Sequence, residues 1–165
     1  MNVRSLWLED IELGVRTELG QWTFTREDII TFARAYDPQT FHVDEEAAVA
    51  SPYGGLIASG WHTAAIWMKL MVRYRQAQFA AAGLDERQQR GGGVSPGFLD
   101  LRWLQPVRPG DTVTYATETK DKVLLKSRND LGLIRSLNTG HNQNGDLVIS
   151  FVGQGLFPRK PDGAG

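Results

Sequence analysis

Asp37 and His42 lie five residues apart in Asp37-Pro38-Gln39-Thr40-Phe41-His42, a carboxylate and an imidazole joined by a link that a proline stiffens. Two groups of different intrinsic pKa that meet at one water molecule can hold and pass a proton, which is what general acid-base chemistry requires. Pro38 disfavours helical dihedrals at Asp37, so the link reads as a non-helical segment able to turn both side chains toward one point. If a helix ends at Asp37, its partial negative charge disfavours the ionised carboxylate and makes it a better base. Taken alone, the pair has a commoner reading, an aspartate in a turn and a histidine in a structural or surface hydrogen bond.

A second feature faces it. Gly54-Gly55-Leu56-Ile57-Ala58-Ser59-Gly60 leads small residues into the start of a long helix, where free N–H groups and the helix dipole favour negative charge. A thioester carbonyl gaining enolate character suits such a place, and the N–H of Gly60 could hold it, an interaction worth about 3 kcal/mol in enzymes. Glycine also lets a substrate approach the backbone closely. Without a ligand, the same run is a capped helix after a glycine turn.

The elements that must position these groups can be read from caps and periodicity. Thr25 can cap a helix beginning near Arg26, with Asp28 at the third position and Phe24 stapling onto Ile29. Ile29, Phe32, Ala33 and Tyr36 then recur at helical spacing up to Asp37. Asp44 caps a short helix carrying Glu45 and Glu46, closed by Ser51-Pro52, and Tyr53-Gly54-Gly55 is a turn. Ser59 caps the longest helix, whose stripe of Ile66, Trp67, Leu70, Met71 and Tyr74 makes it central and largely buried. Ala80 to Gly93, with Arg87, Arg90 and three successive glycines, reads as a mobile loop.

From Val94 the period alternates, with Leu99, Leu101 and Trp103 on one face and Asp100 and Arg102 on the other. Pro109-Gly110-Asp111 is a turn, Thr112 to Thr119 is rich in β-formers, and Val123 to Leu125 continues the pattern. Asn144-Gly145 is the signal of a type I′ hairpin joining Leu133–Asn142 to Asp146–Phe157. With an early strand near Val15 to Phe24, the layout is α+β, a long helix laid against one curved antiparallel sheet of about five strands.

Composition bounds the function. The 165 residues, 41% of them hydrophobic, predict one domain over 1–165 with a flexible tail at about 159–165. Lys plus Arg number 18 against 19 Asp plus Glu, so no global field favours nucleic acid or an anionic membrane. No cysteine is present, which removes disulfides, thiolate metal sites and a cysteine nucleophile. No stretch approaches the roughly 20 apolar residues of a membrane span, and Met1 to Asp10 lacks a signal pattern, so a cytoplasmic protein is expected.

The span from Thr25 to Thr63 resembles the hydratase motif of MaoC-like dehydratases, the (R)-specific enoyl-CoA hydratases of the hot-dog fold. Those proteins carry an aspartate, a histidine five residues later, an acidic residue two beyond, and a glycine-bearing turn into the central helix. The matching residues are Asp37, His42, Asp44 and Gly54 to Gly60. Arg102 to Asp111 is similar to the family's strand-turn-strand signature. The resemblance implies one hot-dog domain in which Asp37 and His42 deprotonate water for attack at Cβ of a trans-2-enoyl thioester. One of the two then supplies the proton to Cα, and the N–H of Gly60 polarises the carbonyl. It implies that Ser59, Gly55, Trp61, Phe41 and Tyr36 lie around the substrate, that no metal or redox cofactor takes part, and that the acyl group rides on CoA or a carrier protein. It also implies a homodimer, or a dimer of dimers, with sites at the subunit interface.

This chain departs from the pattern in three places. Gln39 and Thr40 replace the family's asparagine and proline, Pro38 follows the aspartate directly, and Ser59 stands where a histidine is frequent. The bulk of Tyr36, Phe41, Trp61, Trp67 and Phe98 hints at a short or branched acyl chain, and equally suits plain core. His62 fits a solvent-facing first-turn position and His141 an exposed hairpin; the three histidines are too scattered for a metal site. Lys69, Arg73, Arg75, Arg87 and Arg90 could meet CoA phosphates or only form a solvated face. Two other functions compete: a hot-dog thioesterase, in which a carboxylate activates water against the carbonyl carbon, and a non-catalytic acyl-thioester binding subunit. The retained aspartate-histidine spacing favours the hydratase.

Overall fold

The computed structural model describes residues 7–83 and 94–161. A short 3-10 turn, Leu8–Asp10, precedes strand β1 (Arg16–Thr23), helix α1 (Arg26–Tyr36), one-turn helix α2 (Thr40–Val43), short helix α3 (Glu45–Val49) and helix α4 (Gly60–Ala81). Strands β2 (Phe98–Trp103), β3 (Thr112–Leu124), β4 (Leu131–His141) and β5 (Leu147–Pro158) follow. They form one five-stranded antiparallel sheet in the order β1-β3-β4-β5-β2, with β1 and β2 at its edges. The long helix lies against this sheet, which is the hot-dog arrangement. Among the described residues, no helix is long and apolar enough to cross a membrane.

Caps fix where the helices begin. Thr25 Oγ accepts from the N–H of Asp28, Asp44 Oδ1 from that of Ala47, and Ser59 Oγ from that of Trp61. Ile66 and Leu70 of α4 enter one core with Phe24 and Ile29, with Val113 and Tyr115 of β3, and with Ile149 and Phe151 of β5. Trp67, Met71 and Tyr74 pack on its margin. The fully buried Tyr115 donates from its hydroxyl to the carbonyl of Thr63 at 3.0 Å, so β3 holds the first turn of α4 in place. That polar group is satisfied inside the core, and the anchor sits a few residues from the glycine-led helix start.

Several expectations need correction. The link between Asp37 and His42 is not wholly non-helical: Thr40–Val43 closes a helical turn, with the N–H of His42 donating to the carbonyl of Gln39 at 2.9 Å. Helix α4 is less enclosed than its stripe implied, for Trp61, Met68 and Val72 are exposed on its other side. It also runs through Ala81, past the point where a loop was expected, while Arg87, Arg90 and the three glycines lie outside the described residues. In β2 a bulge between Leu99 and Arg102 inserts one residue more than the partner strand has, and Asp100 there takes φ +53°. The alternation is broken there: Leu101 packs on the core, while Phe98, which meets Phe151, and Leu99, which pairs with Val152, are both exposed.

At Asn144-Gly145 a turn does form, but only Gly145 adopts positive φ (+86°). Gly145 N–H donates to the carbonyl of Asn142, and Asn142 Oδ1 accepts from the N–H groups of both Asn144 and Asp146. The side chain of Asn142 stabilises a longer loop than a two-residue type I′ turn. The backbone N–H groups of Arg159 and Lys160 donate to the carbonyl of Asp130 and to Glu9 Oε2. Residues 162–165 lie outside the described residues. His141 is half-buried rather than exposed and lines a shallow hollow on one side of the sheet together with Thr139 and Leu137.

His62 departs furthest. It is buried, stacked on Phe32 at 4.5 Å between ring centroids and edge-on to Phe24 at 5.0 Å. Burial pulls its pKa from 6.5 down to about 4, against the pull of Asp28 and with that of Lys69. The unfolded chain thus binds a proton at His62 that the folded one refuses, so its contribution to stability is full above pH 6.5 and falls away as pH drops toward about 4. Denaturant unfolding at pH 7 and pH 5 should show this loss, and His62→Phe should shrink it. An equal pH slope in wild type and variant would remove His62 from the account.

Candidate active site

Asp37 is the residue at which α1 stops. Its N–H still closes the helix onto the carbonyl of Ala33 at 2.8 Å, but its own φ of −153° and ψ of 68° leave the helical region, as the following proline demands. The carboxylate is thereby turned toward α2 and the segment entering α4. That segment, Leu56 to Ser59, is buried and threaded between neighbours: Ile57 N–H donates to the carbonyl of Phe41, and Ala58 N–H to that of Val107.

Four side chains and one carbonyl converge there. His42 Nδ1 lies 2.8 Å from the carbonyl of Ile57. A carbonyl can only accept, so Nδ1 carries a proton, and when the ring is neutral its lone pair stands at Nε2. Nε2 stands 3.4 Å from Asp37 Oδ2. Two acceptors at that separation do not bond each other directly; a water lying beside them can donate to both. Ser59 Oγ donates to the same Asp37 Oδ2 at 2.7 Å, and Gln39 Nε2 donates to Oδ1 at 2.8 Å. His42 and Ser59 are buried, Asp37 partly so, and Phe41 sets its ring edge-on to the imidazole at 4.5 Å.

These contacts reverse the expected electrostatics of Asp37. Burial pushes its pKa up, but the hydrogen bonds from Ser59 and Gln39, with the charge that His42 bears whenever it is protonated, outweigh it and hold the carboxyl below its ordinary value. The helix end alone suggested the opposite sign. Asp37 is thus an ionised acceptor held by donors from Ser59 and Gln39.

Gly60 is the first residue of α4, so its N–H has no intrahelical carbonyl to meet. Its carbonyl accepts from Trp103 Nε1 at 2.9 Å and from Thr63 Oγ1 at 2.6 Å. A Cβ at this position would fall within 2.6 Å of Cδ2 and Nε1 of Trp103, so the missing side chain makes room for an indole from β2 and not for a substrate. Trp61 stands edge-on to Trp103 at 5.1 Å and is half exposed. Gly55, at φ +156°, belongs to the turn before this segment, beside the Arg108 guanidinium, which donates to the carbonyl of Tyr53.

The aromatic set divides. Phe41 flanks His42, whereas Tyr36 is largely exposed and tilts onto Phe32, Trp67 packs edge-on to Phe151 in the core, and Phe98 lies on the same Phe151. Lys69 sits over the ring of Trp22, 4.0 Å from its centroid, rather than at the site. Three participants escaped the sequence reading. Gln39 was visible only as a departure from a pattern; the carbonyl of Ile57 and the indole of Trp103 carry no local signal.

A model of the MaoC-like domain matches residues 11–134. The chain belongs to the MaoC-like domain family. It is 30% identical over 138 residues to the Bacillus subtilis protein YdeM, covering 82% of this chain and 87% of that one. The crystal structure of a MaoC-like dehydratase from Rhodospirillum rubrum superposes with a TM-score of 0.78 at 35% identity, covering 95% of this chain and 99% of the other. An (R)-hydratase of Pseudomonas aeruginosa, at 20% identity and a TM-score of 0.59 over 94% of this chain and 87% of its own, shares the fold. At the level of the family, this MaoC-like protein is of the hydratase/dehydratase type.

Ser59 does two jobs with one hydroxyl, accepting from Trp61 and donating to Asp37. Ser59→Ala should cost about 1 kcal/mol of stability through the lost cap. It should also raise the pKa of Asp37, since burial then acts against one hydrogen bond fewer. Carboxyl titration by NMR reads the second effect, and an unmoved Asp37 would remove Ser59 as its partner.

Proposed function

We propose that this MaoC-like protein adds water to the double bond of a trans-2-enoyl thioester, and in reverse dehydrates an (R)-3-hydroxyacyl thioester. The observation that carries the reading is the 3.4 Å gap between His42 Nε2 and Asp37 Oδ2, with Nδ1 tied to Ile57. A water held across that gap donates to both acceptors and keeps a lone pair for attack. Its oxygen bonds to Cβ while one proton passes to His42 Nε2, and the electron pair of the double bond moves toward the thioester carbonyl. The N–H of Gly60 holds the resulting enolate oxygen, with the dipole of α4 behind it. The imidazolium then returns its proton to Cα, and the carbonyl re-forms. Ionised Asp37 orients the water and stabilises the imidazolium through the interval.

The scheme consumes and regenerates one proton on one residue, so it calls for no metal or redox cofactor. Acyl-CoA or an acyl-carrier protein presents the thioester. Phe41 beside His42 is the aromatic best placed to meet the acyl group, and Ser59 reaches the site through Asp37.

Crotonyl-CoA given to the purified protein should lose its enoyl absorbance with no free thiol released. Asp37→Asn and His42→Ala should each lower kcat by at least about 100-fold. Thiol release without hydration would make the protein a thioesterase, and turnover untouched in both variants would move the site elsewhere.

A homodimer belongs to the same reading. Strand β2 is an open edge of the sheet, and Phe98, Leu99, Trp103 and Leu104 on or beside it are exposed. An apolar strand edge is the surface that a second copy covers. Light scattering should return the mass of two chains or a multiple of it, whereas a monomer with full activity would contradict the pairing.

A further inference from the structure

Gly60 and Trp103 are 43 residues apart and belong to different layers, yet they are built around each other. The indole occupies the volume that any side chain at position 60 would need, approaching within 2.6 Å of the place a Cβ would take. Its N–H donates to the carbonyl of Gly60 at 2.9 Å, and Thr63 Oγ1 donates to the same oxygen at 2.6 Å. A carbonyl with two donors keeps its plane, and a residue packed on one side by an indole loses the freedom that glycine otherwise has. Trp103 itself is placed by β2, where Trp103 pairs with Ile149, and by the edge of Trp61.

We propose that Trp103 is the positioning residue of the Gly60 donor: from the sheet, it fixes the first residue of α4 so that the N–H of Gly60 keeps one direction. This inference rests on the reading of Gly60 as the group that holds the enolate oxygen. An oxyanion donor acts by being aimed in advance, and the first residue of a helix is the one least restrained by the helix itself. Glycine at 60 is then a consequence of the tryptophan, since Ala at a helix start is otherwise the better residue.

Two variants test it. Trp103→Phe keeps a ring and removes the N–H. Its Gly60 amide should show a lower order parameter in 15N relaxation, with Tm little changed and the dimer mass retained. Its kcat on crotonyl-CoA should fall about fivefold, the effect of one hydrogen bond, while KM stays within about a factor of two. An equally rigid Gly60 amide in Trp103→Phe would overturn the inference regardless of activity. A loosened amide with unchanged kcat would instead remove Gly60 from the reaction and leave the contact standing. The second test needs no substrate: Gly60→Ala should lower Tm in the wild-type background and leave it unchanged or raise it in Trp103→Ala. The same loss in both backgrounds would overturn the packing on which the proposal is based.

Discussion

The hydrogen bond from His42 Nδ1 to the carbonyl of Ile57 decides what the imidazole can do. It spends the one proton of the neutral ring on a buried backbone acceptor and leaves the lone pair at Nε2 facing Asp37. Nearly everything around it serves to keep those two atoms where they are. The helical turn at Thr40–Val43 carries the ring inward, the threaded segment from Leu56 to Ser59 supplies the carbonyl, and Ser59 then passes its hydroxyl to Asp37 while starting α4. The same few residues are structural caps and site components, so the site is formed wherever the local fold is formed.

Two layers meet at this point. The helical layer contributes Asp37 at the end of α1, His42 in α2 and Ser59 and Gly60 at the start of α4. The sheet contributes Tyr115, which holds the carbonyl of Thr63, and Trp103, which holds that of Gly60. Both strands therefore grip the first turn of α4 by its carbonyls from outside the helix, while Ser59 takes the N–H groups of Trp61, His62 and Thr63 and leaves that of Gly60 to face a ligand. That division suits a helix start whose dipole is to act on a ligand.

Local chemistry made much of this readable beforehand. Thr25, Asp44 and Ser59 announce helix starts by side-chain capping, Pro38 ends α1 at Asp37, and the alternation in the second half yields the antiparallel strands. What escaped depends on partners distant in the chain. His62 looks like a solvent residue until Phe24 and Phe32 close over it. Leu99 changes face because Asp100 takes a left-handed conformation that no pattern of apolar residues encodes. The sign of the Asp37 shift was misjudged because the helix end was visible and the hydrogen bonds from Ser59, 22 residues on, and from Gln39 were not.

Which nitrogen of His42 carries the proton decides whether the ring can take one from water. Long-range 1H–15N correlation of the imidazole near neutral pH, with His42→Ala used to identify its signals, reads this directly. A protonated Nδ1 with an unprotonated Nε2 is the expected result. A neutral ring protonated at Nε2 would leave no lone pair facing Asp37, and would contradict the assignment of His42 as the proton acceptor.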